Sequence, residues 1–77
     1  MAKKKMSFNV GDIVQARYAL TIFNTDDTDE ESDDSDIFMV IEIDERRERL
    51  EYKLIRQKSL KISYWDMNCA QYNFNKV

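Results

Sequence analysis

Ile37-Phe38-Met39-Val40-Ile41-Glu42-Ile43 is the densest apolar stretch of the chain. Five consecutive apolar residues, rich in β-branched types, predict a strand covered on both faces and placed centrally in a sheet. The residues after it, Asp44 to Lys58, read two ways. Glu45, Arg46, Arg47, Glu48 and Arg49 are good helix formers, and Leu50 and Leu54 sit four apart. Yet Leu50, Tyr52 and Leu54 also alternate with Arg49, Glu51 and Lys53, and a helical stripe would be thin, extended only by Ile43 and Ile55. The pattern favours a hairpin: Ile37–Asp44, a charged turn, then Arg49–Ile55. A helix over 45–57 is the competing reading.

Period-two alternation recurs on both sides. Upstream, Val14, Ala16, Tyr18, Leu20 and Ile22 fall on one face, and Gln15, Arg17, Ala19 and Thr21 on the other. Downstream, Lys58-Ser59 reads as a turn, and Leu60, Ile62 and Tyr64 alternate with Lys61 and Ser63. Trp65 to Ala70 interrupts the alternation and suits one helical turn; Gln71–Lys76 forms a last short strand around Tyr72 and Phe74. The expectation is an all-β domain, a small, strongly bent barrel of about five strands. It is a single domain over 7–77 with a flexible basic start at 1–6 and no repeats. One Gly and no Pro mean that Asp, Asn and Ser must make most of the turns.

The domain opens Phe8-x-Val10-Gly11-Asp12-x-Val14. This resembles the first strand of small SH3-like barrel proteins of bacteria and their phages, where an F-x-x-G-D-x-V start leads through a long loop to an apolar second strand. Ile37–Ile43 would be that strand. The resemblance covers about half the chain and implies an SH3-like fold. It brings no catalytic set, and the chain departs from the pattern in its acidic loop and its scarcity of glycine.

Between those two strands lies Asp26 to Asp36, DDTDEESDDSD, with eight carboxylates in eleven residues and no basic or apolar side chain. The chain has 12 Lys+Arg against 15 Asp+Glu; without the eight, the balance is 12 against 7 and the net charge moves from −3 to +5. Like charges repel and nothing here favours burial, so residues 24–36 are expected to be an acidic mobile loop. As a calcium loop it fails: counted from Asp27, Ser32 takes the glycine position and Phe38 the terminal glutamate position. Its charge density does suit imitation of nucleic acid, which carries one negative charge per about 1.7 Å of duplex axis. On this reading Asp26, Asp27, Asp29, Glu30, Glu31, Asp33, Asp34 and Asp36 engage a basic nucleic-acid-binding host protein. The protein is then a phage-type inhibitor or adaptor, and neutralising all eight abolishes binding without unfolding the domain. A plain solubilising loop is the simplest competitor.

A different reading starts from the cations. Arg46, Arg47, Arg49, Arg56 and Lys58, with Trp65 nearby, could line a barrel groove that binds nucleic acid directly, the acidic loop limiting nonspecific binding. Glu45, Glu48 and Glu51 interleave with these cations, as on an ordinary solvated face. The remaining aromatics, Tyr18, Phe38, Tyr52, Tyr64, Tyr72 and Phe74, are expected in the core, with Trp65 the candidate for exposure. Cys69, the sole cysteine, is expected to be small, buried and apolar. No His, no second Cys and no glycine-rich loop argue against an enzyme, a metal site or a cofactor. No stretch approaches the ~20 apolar residues of a membrane span. A cytoplasmic binding protein is expected, and an edge strand near either terminus offers a homodimer contact.

Overall fold

The computed structural model describes residues 8–46 and 49–77, with the side chain of Arg46 left aside. The flexible start expected at 1–6 lies outside them, as does Arg47. The described chain is mostly β: β1 Ile13–Ala16, β2 Leu20–Phe23, β3 Asp29–Ser32, β4 Ile37–Arg46, β5 Arg49–Arg56, β6 Ile62–Asp66, the helix α1 Met67–Asn73, and β7 Phe74–Lys76. One sheet has the order β6-β5-β4-β1-β7; β2 and β3 make a second, two-stranded sheet. The sheets are open and do not close into a barrel.

The apolar stretch is the central strand, and the segment after it is the hairpin partner rather than a helix. β4 and β5 pair antiparallel from Phe38↔Arg56 to Arg46↔Arg49, with a bulge between Val40 and Glu42. The bulge explains why Ile41 interrupts strict alternation: one extra residue lets Val40 and Ile43 share the inner side. Gly11 and Asp12 make the expected bend, Gly11 at φ +96° and Asp12 accepting from the Asn9 N–H at 2.7 Å.

Two expectations change upstream. The alternating segment 14–22 is two strands in two sheets, because Arg17–Ala19 carry the chain from β1 to β2. The Arg17 N–H bonds the Asn73 carbonyl there instead of a sheet neighbour. Residues 24–36 are not one loop: Asp29–Ser32 form β3, paired with β2 from Leu20↔Ser32 to Phe23↔Asp29. Asp26 tightens the hairpin turn by accepting from the Thr28 N–H at 3.1 Å and the Thr28 hydroxyl at 2.5 Å.

The core joins Phe8, Val14, Ala16, Ile22, Phe38, Val40, Tyr52, Leu54, Ala70 and Phe74. Phe74 receives Phe38 and Trp65 edge-on, each at 5.0 Å between centroids. Trp65 is therefore half-buried, not exposed, and its indole N–H bonds the Ser63 hydroxyl at 2.8 Å. Tyr18, Tyr64 and Tyr72 are exposed, contrary to expectation. Cys69 is exposed too, because α1 buries only Ala70. The helix begins on Asp66, whose carboxylate accepts from the Asn68 N–H at 3.2 Å. The last strand is shorter than expected because residues through Asn73 belong to this helix.

Candidate partner-binding surface: the acidic hairpin

β5 turns Tyr52, Leu54 and Arg56 toward the interior. An arginine in that register needs anions, since an unpaired buried charge is too costly to hold. The acidic run supplies them. Asp36 accepts from Arg56 Nε at 2.9 Å and from Nη2 at 2.5 Å through Oδ2. Glu30 Oε1 accepts from Nη1, and the Glu31 carbonyl accepts from Nη2 at 3.4 Å. The three side chains are 9%, 6% and 14% exposed for Arg56, Asp36 and Glu30. Glu30 Oε2 takes further bonds from Asn24 Nδ2 at 2.8 Å and the Ser59 hydroxyl at 3.0 Å.

Burial works to raise the Glu30 carboxyl, but hydrogen bonds from Arg56, Asn24 and Ser59 outweigh it and hold it below its usual range. Burial likewise works against the Arg56 charge, and Asp36 and Glu30 reverse that, so the guanidinium is held more firmly protonated than usual. Asp26 is lowered chiefly by the Thr28 hydroxyl, with Lys61 adding to it; Lys61 Nζ lies 3.2 Å from Asp26 Oδ2. These three carboxylates therefore build the hairpin: Asp26 its turn, Glu30 and Asp36 its clasp onto β5.

The other five of the expected set face solvent: Asp27, Asp29, Glu31, Asp33 and Asp34. Pairing places Thr21 opposite Glu31 and Phe23 opposite Asp29. By strand alternation these four residues share the outward face, while Leu20, Ile22, Glu30 and Ser32 face inward. The Thr21 hydroxyl donates to Glu31 Oε2 at 3.3 Å. Phe23, 72% exposed, stands among the carboxylates, where an aromatic ring on a charged surface suits an interface anchor. Nothing in the sequence singles out Phe23, which simply follows the alternating segment that ends at Ile22. Asp33 has Lys58 at 3.9 Å, both exposed, a pair that water screens.

Of the alternative cationic set, Arg47 and the Arg46 side chain lie outside the description, and the described side chains are not brought together. Arg56 is consumed by its carboxylates and Trp65 packs inward; Arg49 and Lys58 are exposed near opposite ends of β5. The one clue to the clasp in the sequence was Arg56 falling in phase with Tyr52 and Leu54. Among the described residues, no three His, Cys, Asp or Glu converge as a metal cluster, and no helix is long and apolar enough to cross a membrane. Neither a family model, nor a curated protein, nor a solved structure matches this chain.

Proposed function

We propose that this chain is a non-enzymatic binding protein with an SH3-like fold. The outward acidic face of its β2–β3 hairpin engages a basic, nucleic-acid-binding protein by imitating a phosphate backbone. The setting is that of a phage-type inhibitor or adaptor acting in the cytoplasm. The strand order β6-β5-β4-β1-β7 supports the fold reading, with a long excursion between β1 and the apolar β4 and the Phe8–Val14 opening at the start of β1.

The observation that carries the function is the division within the acidic run. Internal partners neutralise Glu30 and Asp36, and Asp26 is tied into the turn. Asp27, Asp29, Glu31, Asp33 and Asp34 remain exposed on an ordered support with Phe23 among them. A solubilising tail has no need of a buried arginine to hold it in place. Ordered carboxylates lose less freedom on binding and steer a cationic partner toward them.

The test is a pull-down from nuclease-treated bacterial lysate with the full chain and with a variant in which only the five exposed carboxylates become Asn or Gln. A basic protein is expected on the first and not the second, and added duplex DNA should displace it. Capture that survives neutralisation or ignores the DNA would overturn mimicry. The direct nucleic-acid reading predicts the reverse, with single strands binding better to the neutralised variant.

A further inference from the structure

On the five-stranded sheet, Val14 and Ala16, Phe38 and Val40, Leu54 and Arg56, and Ser63 point inward and are buried. The residues between them form the outer face. Register places Ile13 beside Met39, Met39 beside Ile55 and Ile55 beside Ile62, and the Val77 N–H bonds the Ile13 carbonyl. One apolar rung thus crosses four strands and ends on Val77, just past β7. The next rung runs Asn75, Gln15 and Ile37, continues to Gln57, whose N–H bonds the Ile37 carbonyl, and reaches Leu60 in the following turn. Leu60 is 70% exposed at φ +60°, beside a hollow of about 220 Å³ that both rungs help to line.

None of these ten side chains is charged, in a chain where 35% of residues are. A random surface of this composition would put about three or four charges there, and an antiparallel sheet with one solvated face is normally polar on it. On the far side the rows end in a self-contained set: Lys53 pairs with Glu42 at 2.8 Å and sits over the Tyr64 ring at 5.3 Å.

We infer that this outer sheet face is where two copies of the chain meet. A basic protein or a nucleic acid finds no opposite charge on these two rows, and the lysines that flank them, Lys53, Lys58, Lys61 and Lys76, each lie beside a carboxylate, which leaves no cationic rim of the kind an interfacial membrane contact wants. A two-fold interface matches a patch to itself, so uncharged rows bring two chains of net charge −3 together without burying like charges. Face-to-face packing is also the ordinary way a second sheet covers an apolar one. Five strands at about 4.8 Å and two rungs at about 6.8 Å span about 24 by 14 Å. Two such faces bury about 700 Å² in total, less than a standard specific interface, and so make a weak, reversible dimer. The β2–β3 hairpins pack on the opposite side of the sheet, where Glu30 meets inward-facing Arg56. The dimer therefore carries two acidic hairpins on its outside and can bind a repeated or multivalent target with added avidity.

The inference stands apart from mimicry, and its test reads only association. Sedimentation velocity is run on the full chain from about 5 to about 500 µM. The average mass should rise from monomer toward dimer, and the dimer should survive a rise in salt from about 0.05 to about 0.5 M. Met39→Lys and Leu60→Asn should each weaken dimerisation about tenfold or more with an unchanged circular dichroism spectrum. If Met39→Lys disturbs folding, Leu60→Asn decides alone, since Asn tolerates positive φ in an exposed turn. The hairpin variant with five neutralised carboxylates should dimerise as the parent does. A parent that stays monomeric throughout, a dimer dissolved by salt, or a dimer indifferent to Leu60→Asn would overturn the inference.

Discussion

Glu30 and Glu31 are neighbours in the chain and chemically alike, yet the fold gives them opposite surroundings. The Glu30 carboxylate is largely buried and meets Arg56, Asn24 and Ser59; the Glu31 carboxylate is exposed and, among the described residues, meets the Thr21 hydroxyl. The strand pleat alone makes this division, since successive side chains point to opposite faces. A segment that looks like uniform charge thus contains a structural half and an available half. The first keeps the hairpin in place so that the second is presented in a fixed arrangement.

The comparison breaks most completely at Arg56. Arg56→Met should leave Glu30 and Asp36 buried without their cation and cost about 3–5 kcal/mol, a large share of the stability of so small a domain. Urea unfolding measures it, and a loss under about 1 kcal/mol would mean that the clasp is not built as described. On the same ground, neutralising all eight carboxylates should unfold the domain, where neutralising the five exposed ones should not.

Glu30→Gln is the intermediate case. It removes charge-assisted hydrogen bonds and should cost about 1.5–3 kcal/mol. It also has a pH signature. The folded state holds the Glu30 carboxyl below its ordinary 4.5. As pH falls, the unfolded chain takes up that proton first, so the contribution is complete above that value and is lost below it. Thermal melts from neutral pH downward should show an acid limb that is shallower in Glu30→Gln. Parallel limbs in the two proteins would remove Glu30 from the account.

The smallest effect on stability sharpens the comparison most. Asp29→Asn with Glu31→Gln should change unfolding free energy by no more than about 0.5 kcal/mol, as exposed substitutions do. The same double variant should lose most of its capture of the basic partner. A marked loss of stability would show that the outward face also has a structural duty.

Much of the strand pattern was legible beforehand. β4 follows from the unbroken apolar run at 37–43, β5 and the first part of β6 from alternation at 49–55 and 60–64, and the hairpin between β4 and β5 from an apolar and an alternating segment flanking a charged turn. β2 was merged with β1 because Tyr18 keeps the apolar phase across the bend at Arg17–Ala19, and alternation does not register a change of partner strand. β3 was missed because Asp29-Glu30-Glu31-Ser32 has no apolar residue to mark a face; its inward positions are filled by Glu30 and Ser32 instead. Exposure of Cys69 is not legible in the sequence, because a seven-residue helix that buries one alanine leaves little periodicity to read.

Local patterning therefore determined the β4–β5 hairpin and the bend at Gly11-Asp12, because pleat and turn chemistry act between near neighbours. It also determined that this chain concentrates eight of its carboxylates in one segment. Tertiary structure alone decided which of those carboxylates belong to the interior. That choice depends on Arg56, 26 residues beyond Glu30 and 20 beyond Asp36. A buried guanidinium is stable only where the packing of two separate sheets brings opposite charge to it.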